Sequence, residues 1–245
     1  MNPSLHDTHF HLDLFEAPRQ VLQRIEQARI YTIAVTNVPE VFTHTENLVK
    51  ESKYVRAALG LHPELANQHY HQVSLFIQLL PKTRYIGEVG LDNQYKSAAD
   101  FAQQKKVFEQ ILVACHAATG KILTIHSRRA EKDVVDMIGP HFPGKIILHW
   151  FSGSLRELDR AISYGFYFSI NHAMTQSENG KKIINRLPTD RILLETDGPF
   201  VKIAESPCDP TVIPDIVEKI ISLKKVERPE FSVLDIYNNF KTLVS

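Results

Sequence analysis

Cysteine, glycine and long apolar runs are all scarce in this 245-residue chain. Cys115 and Cys208 stand far apart, so we expect neither a disulfide framework nor a cysteine-rich zinc site, and a reducing cytoplasm is the simplest setting. No apolar run approaches the roughly 18 residues that a membrane helix needs, and no signal segment is visible. With 10 glycines and 13 prolines beside 43% apolar residues, the chain is predicted to be compact, not disordered or collagen-like.

The sequence also lacks an excess of charge and three common catalytic motifs. Its 28 basic residues balance its 28 acidic residues, so a nucleic-acid contact would have to come from a local basic patch. There is no G-x-S-x-G elbow, no P-loop and no G-x-G-x-x-G segment. Serine hydrolysis, nucleotide phosphoryl transfer and dinucleotide redox chemistry are therefore disfavoured.

What the sequence does contain is a regular alternation of strand-like and helix-like segments. Short apolar, β-branched runs predict buried strands at 31–35, 55–59, 85–89, 122–125, 146–148, 166–170 and 192–194, with a shorter one near Leu5. Eight βα units in about 250 residues are typical of a (β/α)8 TIM barrel, an α/β fold. A doubly wound open sheet is the alternative. We expect one hydrolase domain over residues 1–245.

Local signals predict where some helices begin and end, and where the two thiols lie. Ser154 followed by Glu157 is a capping-box pattern, and Gly165 and Gly120 stand where a helix-terminating glycine belongs. Cys115 falls on an apolar helical face and is predicted to be core. Cys208 lies in a proline-punctuated loop, where we expect an exposed thiol without a catalytic role.

Histidines and carboxylates follow almost every predicted strand. The active site of a barrel enzyme lies at the carboxyl ends of its strands, so these residues are candidates to meet in one place. His9 and His11 are two positions apart, which directs both side chains to one side of an extended strand. The residues that follow the strands in this way are His9, His11, His62, Glu88, His126, His149, His172 and Asp197.

Glu88 and Asp197 are carboxylates at the ends of predicted buried strands, where an unpaired charge is costly and a cation is a natural partner. Four imidazoles and two carboxylates exceed one tetrahedral site. A shared carboxylate could hold two divalent ions about 3.5–4 Å apart, an arrangement suited to hydrolysis of phosphate esters or amides. Arg128 and Arg129 follow His126 closely and are the best candidates for contact with an anion.

Six segments in order resemble the TatD family of metal-dependent deoxyribonucleases. The resemblance implies a (β/α)8 barrel whose two-metal centre hydrolyses phosphodiester bonds, usually in DNA. The segments are Asp7-Thr8-His9-Phe10-His11-Leu12-Asp13, Gly60-Leu61-His62-Pro63, Gly87-Glu88-Val89-Gly90-Leu91-Asp92, His126-Ser127-Arg128-Arg129-Ala130, His149-Trp150-Phe151-Ser152-Gly153 and Glu195-Thr196-Asp197-Gly198-Pro199.

The resemblance also implies a role for individual residues. It implies that His9, His11 and Asp197 hold one ion, that His126 and His149 hold the second, that Glu88 bridges them, and that His62 and Arg128 contact the substrate phosphate. The two ions would be Mg²⁺, Mn²⁺ or Zn²⁺ and would activate a water molecule, with Asp197 as a possible general base. DNA is then the expected substrate.

Three departures from the family pattern fall outside the ligand positions. Glu64 stands where the family commonly has another histidine, Asn93-Gln94 where it has aromatic residues, and residues 204–210 where it has a basic loop. We therefore expect intact metal chemistry and altered substrate engagement. A divergent, compact TatD-like chain is also similar to the nuclease component of the Qat bacterial anti-phage system, which would imply defence-system protein partners.

Two other functions are compatible with the same residues. An amidohydrolase-type enzyme acting on a small cyclic amide or lactone would also begin with His-x-His and end with an aspartate on the eighth strand. That superfamily often bridges its metals with a carboxylated lysine, whereas here Glu88 takes the fourth-strand position. The neutral charge and altered loops are also compatible with a partner-dependent subunit of a bacterial defence complex that has little activity alone.

Overall fold

The computed structural model describes residues 5–94 and 97–245. Eight strands run parallel around a barrel, with helices between them. The strands are β1 (His6–Phe10), β2 (Tyr31–Ala34), β3 (Val55–Ala57), β4 (Tyr85–Gly90), β5 (Ile122–His126), β6 (Lys145–His149), β7 (Tyr167–Ile170) and β8 (Ile192–Leu194). The helices are α1 (Pro18–Ala28), α2 (Pro39–Val49), α3 (Ala66–His69), α4 (Val73–Leu79), α5 (Ala98–Ala118), α6 (Glu131–Ile138), α7 (Leu155–Ser163), α8 (His172–Gln176), α9 (Glu178–Arg186), α10 (Ile213–Lys224) and α11 (Val233–Val244).

Hydrogen bonds close the barrel at both seams between its three-stranded and five-stranded arcs. At the β3–β4 seam, Leu59 N donates to Tyr85 O at 3.0 Å and Gly87 N donates to Leu59 O at 2.9 Å. Beside β8, Asp197 N donates to His9 O at 2.9 Å. The predicted barrel is therefore confirmed, and the open-sheet alternative is wrong because the first and last strands are joined.

The strands inside the barrel are apolar and buried, as the sequence predicts, but β1 differs. All five of its residues, His6 to Phe10, are buried although four of them are polar or charged. Asp7 accepts hydrogen bonds from the backbone N–H groups of His9 and Thr196, each at 3.1 Å. The strand expected near Leu5 is confirmed, but it is longer than expected, because apolar periodicity does not detect polar strand residues that are satisfied inside the protein.

Two of the predicted helix signals are found at the ends of α7. The Ser154 hydroxyl accepts a hydrogen bond from Glu157 N at 3.3 Å and starts α7. Leu158 and Ala161 then lie on its buried face. Gly165 follows α7 with φ 80°, a left-handed conformation that a glycine adopts without strain. Among the described helices, none is both long and apolar enough to cross a bilayer.

The segment after β8 is more ordered than a loop. It forms a short hairpin of β9 (Lys202–Ile203) and β10 (Ser206–Pro207). A Cβ on Gly198 would lie 1.8 Å from Cys208 O, so no side chain fits at that position. Cys208 is 1% exposed, and the expectation of an exposed thiol is wrong because the hairpin folds back over the turn that carries Gly198. Cys115 is buried in the core, as predicted.

Candidate metal centre

A cleft of about 1010 Å³ opens at the carboxyl ends of the strands. Glu88, His126, His149 and Asp197 lie on its floor, and His62 and Arg128 also line it. The strand ends therefore bring together residues that stand far apart in the sequence, as the barrel geometry requires.

Glu88 is the centre of this group, because its two carboxylate oxygens face different histidines. Oε2 lies 3.5 Å from His9 Nε2 and 3.3 Å from His11 Nε2. Oε1 lies 2.6 Å from His126 Nδ1 and 2.9 Å from His149 Nε2. Glu88 is 3% exposed. One buried carboxylate thus joins two clusters of imidazoles.

The first cluster consists of His9, His11, Asp197 and Oε2 of Glu88. His9 Nε2 lies 3.3 Å from His11 Nε2 and 3.6 Å from Asp197 Oδ1, and His11 Nε2 lies 3.5 Å from the same aspartate oxygen. Four ligands around a tetrahedral ion with bonds of about 2.1 Å are separated by about 3.4 Å. The spacing of these atoms therefore fits a divalent cation.

The second cluster surrounds Oε1 of Glu88. His126 Nδ1 and His149 Nε2 lie 3.3 Å apart. His62 Nε2 lies 3.3 Å from Glu88 Oε1, and His62 Nδ1 accepts a hydrogen bond from Glu64 N at 3.1 Å. His62 therefore directs its Nε2–H into this cluster, beside Glu88 Oε1 and the ring of His126. Its contact with substrate phosphate stays a prediction.

Three residues to which the sequence assigned no role lie behind the histidines. Thr124 Oγ1 lies 2.8 Å from His9 Nδ1, and Asp92 Oδ2 lies 2.8 Å from His126 Nε2. Glu195 is completely buried, and its Oε2 lies 3.8 Å from the Nδ1 atom of His149. The contacts of Thr124 and Asp92 are hydrogen bonds, which fix ring orientation and tautomer, whereas Glu195 contributes a negative charge near His149. Asp92 belongs to the Gly-Leu-Asp segment and Glu195 to the Glu-Thr-Asp segment. The sequence alone does not show which acidic residues in these segments face the metal centre and which lie behind it.

The cluster concentrates negative charge that requires compensation. Burial by itself would raise the pKa of Glu88, but the charges of His62, His149 and His9 hold that pKa well below its usual range. Burial also opposes a charge on His11, yet hydrogen bonds to Asp197 and Glu88 raise the pKa of that imidazole to about 9. The carboxylates therefore attract either protons on the imidazoles or cations, and cation binding releases protons.

Two other sequence candidates have different outcomes. Arg128 lines the cleft with its side chain 46% exposed, and its Nε lies 3.4 Å from Asp92 Oδ2. It is placed to meet an anion in the cleft. His172 does not join the centre: its Nδ1 lies 3.1 Å from Lys219 Nζ. The expectation that His172 is a ligand is wrong, because the chain turns into α8 at that residue, directly after β7.

The sequence of residues 6–245 matches the model of the TatD related DNase family. The chain belongs to this family. This TatD protein is 27% identical to YabD, an uncharacterized metal-dependent hydrolase of Bacillus subtilis, with 96% of each chain covered. It is 29% identical to the 3′-5′ ssDNA/RNA exonuclease TatD of Edwardsiella piscicida, covering 74% of this chain and 73% of that one. The crystal structure of the TatD homolog YjjV from Escherichia coli superposes with a TM-score of 0.87 at 25% identity, covering 99% and 98% of the two chains.

Membership confirms the family predicted from the six segments and makes this TatD protein a metal-dependent hydrolase. The predicted divalent-metal requirement is confirmed at the level of the family and the ligand clusters. Two of the departures from the family pattern, Glu64 and Gln94, line the cleft beside the clusters. Their effect on substrate engagement stays a prediction.

Proposed function

We propose that this TatD protein is a nuclease that hydrolyses DNA phosphodiester bonds with two divalent ions. The observation that carries the proposal is the position of Glu88, with one carboxylate oxygen toward each of two histidine clusters. A carboxylate shared by two divalent ions is suited to two-metal hydrolysis of phosphate esters. The name of the Edwardsiella relative, an exonuclease of single-stranded DNA and RNA, supports a nucleic-acid substrate.

The residues divide into three roles under this proposal. His9, His11 and Asp197 hold one ion, His126 and His149 hold the other, and Glu88 is shared. Divalent ions in such a centre polarise a phosphoryl oxygen and lower the pKa of water. Their identity remains to be chosen among Mg²⁺, Mn²⁺ and Zn²⁺ by experiment.

Arg128 and His62 hold the scissile phosphate. The Arg128 guanidinium is half-exposed in the cleft, where it can pair with a phosphate oxygen. His62 offers an N–H at the edge of the second cluster. Asp197 lines the same cleft, and its carboxylate can accept a proton from the attacking water. Together these side chains orient the phosphate and accept a proton with little movement.

The test is hydrolysis of end-labelled single-stranded and duplex DNA with Mg²⁺, Mn²⁺, Zn²⁺ or EDTA. We expect metal-dependent cleavage that Glu88→Ala abolishes, because both clusters lose their shared carboxylate. Glu178→Ala is the matched control, since the side chain of Glu178 is 83% exposed on α9. Turnover of lactones or cyclic amides with inert DNA would overturn the proposal in favour of an amidohydrolase-type enzyme.

We further propose that residues 1–245 form one hydrolase domain and that the protein works in the cytoplasm. Two buried, unpaired cysteines support a reducing compartment. The proposed ligands all come from this one chain, so the site does not require a partner to supply one. A role in an antiviral defence assembly stays a prediction, to be tested by co-purification of partner proteins.

A further inference from the structure

Two large aromatic side chains are exposed at the cleft. Among the large apolar residues that the described structure leaves exposed, Trp150 and Phe200 line it, with 37% and 58% of their surfaces accessible. Most exposed apolar residues need no explanation, but aromatic rings beside a polar reaction centre are typical of ligand pockets. The position of each ring relative to the two clusters indicates what it would hold.

Phe200 lies on the side of the first cluster. Its ring meets the ring of His11 edge to face, with centroids 5.0 Å apart and an interplanar angle of 89°. Phe200 N donates to Asp197 O at 3.0 Å, so the turn that presents Asp197 also fixes the backbone below this ring. The ring is therefore tied to two members of the first cluster while most of its surface faces the cleft.

Trp150 lies on the side of the second cluster, directly after His149. Its φ is 38°, a left-handed conformation that is unusual for a bulky residue. Its backbone N–H donates to the buried Glu195 carboxylate at 3.1 Å, which holds this conformation. Strained backbone of this kind persists where the surrounding structure imposes it, and it is common at functional sites. Here it leaves the indole exposed in the cleft.

We propose that Trp150 and Phe200 are the base-stacking residues of this nuclease, holding the unpaired bases on the two sides of the scissile phosphate. This inference rests on the proposed function. Phe200 contacts His11 of the first cluster, Trp150 directly follows His149 of the second, and both rings line the cleft that contains Glu88. A phosphate bound there carries one nucleoside in each direction. Every base has a face that can stack on an aromatic ring, so the contact does not depend on sequence.

The balanced charge of the chain strengthens the argument. Proteins that bind nucleic acid through the phosphates alone present an excess of basic residues, whereas this chain has 28 basic and 28 acidic residues. Arg128 and Arg129 line the cleft beside the proposed ions, so positive charge is concentrated at the scissile phosphate, and the flanking nucleotides require another source of affinity. Stacking on the two rings provides it, and it requires bases that are free of a duplex.

The first test uses the fact that Trp150 is the single tryptophan of the chain. Stopped-flow mixing of metal-loaded protein with oligothymidylate should quench the tryptophan fluorescence before cleavage occurs. An oligomer of the same length with abasic residues has the same phosphates but no bases, and it should leave the emission nearly unchanged. Anisotropy of end-labelled oligomers measures binding in parallel. Binding of oligothymidylate without a change in emission would overturn the role of Trp150.

The second test is a kinetic cycle between ring and base. Trp150→Ala and Phe200→Ala should each lower kcat/KM for oligothymidylate by about tenfold to a hundredfold. For the abasic oligomer the loss of kcat/KM should be much smaller. The ratio of kcat/KM for oligothymidylate to kcat/KM for the abasic oligomer should therefore fall. Trp150→Phe should retain part of that ratio, because an aromatic ring remains. Tyr70→Ala is the matched control, since Tyr70 is 56% exposed and is absent from the cleft lining.

The outcomes separate this inference from the proposed function. Equal losses on both oligomers, or an unchanged preference for bases, would show that the rings have only a structural role. Absence of cleavage of any nucleic acid by the wild type would contradict the nuclease proposal, while the fluorescence titration would still test whether Trp150 stacks on a base.

Discussion

Nε2 of His126 lies 2.8 Å from Oδ2 of Asp92, while Nδ1 of the same ring lies 2.6 Å from Oε1 of Glu88. Each nitrogen of this imidazole thus faces a different buried carboxylate. The same Asp92 oxygen lies 3.4 Å from Nε of Arg128. Asp92 is therefore a positioning residue for a proposed metal ligand and for the proposed phosphate contact together.

Asp92→Asn should lower kcat/KM by about tenfold to a hundredfold, because the amide no longer fixes the tautomer of His126. Metal affinity should fall with it, measured by titration of the metal-free protein. Asp159→Asn is the control, since Asp159 is an exposed carboxylate paired with Arg186. An Asp92→Asn protein with unchanged metal affinity and activity would contradict the positioning role.

Metal stoichiometry distinguishes a shared ligand from one that belongs to a single cluster. His9→Ala should reduce the bound metal by one equivalent, whereas Glu88→Gln should reduce it by two, because both clusters contain an oxygen of Glu88. Elemental analysis after dialysis measures the content. Equal losses in the two variants would show that Glu88 serves one ion only.

Removal of metal should destabilise the folded protein. The ligand atoms are assembled only in the barrel, so an ion at 100 times its dissociation constant adds about 2.7 kcal/mol to the free energy of unfolding. For a chain of this size the Tm should then fall by roughly 5 to 10 °C for each ion that EDTA removes, as measured by calorimetry. Glu88→Gln is the control, and a comparable EDTA effect in that variant would indicate a different binding site.

His6 should make the protein acid-sensitive. Its ring is buried and stacked on Phe240, with centroids 4.3 Å apart, and its Nε2 accepts a hydrogen bond from Leu194 N. Burial lowers the pKa of His6 from 6.5 to about 3. Between about pH 6.5 and pH 3 this histidine is therefore protonated in the unfolded chain but neutral in the folded protein. The free energy of unfolding falls as the pH decreases through that interval.

By pH 5 this effect should amount to about 2 kcal/mol. Denaturant unfolding of wild type and His6→Gln at several pH values, always in EDTA, measures it. The difference between their free energies of unfolding should change over that pH interval and stay constant above pH 7. Parallel pH profiles for the two proteins would refute the contribution of His6.

The sequence predicted the parts of the fold that follow from apolar periodicity. The strand at 192–194 has the predicted bounds, and β2 and β5 each differ from prediction by one residue at the carboxyl end. In contrast, β1 was underestimated because its polar residues are satisfied by partners such as Thr196, which is remote in the sequence. Pairing between β9 and β10 depends on the contact of Gly198 with Cys208, which composition does not encode.

The candidate site also contains parts that the sequence predicts and parts that it does not. Glu88 and the five proposed ligands around it meet because each lies at or just beyond the carboxyl end of a strand, as the alternation of strands and helices implies. The position of His62 beside Glu88, and the contact of Asp92 with His126, depend on side-chain directions in the folded cleft. The exposure of Trp150 follows from a left-handed backbone that no local sequence signal marked.

The seam between β1 and β8 has a consequence for biosynthesis. His9 and His11 leave the ribosome first, whereas Asp197 emerges 188 residues after His9. A nascent chain therefore carries an incomplete first cluster until the last strand docks beside the first. Loading of the proposed first ion is thus coupled to closure of the barrel, where Asp197 N donates to His9 O.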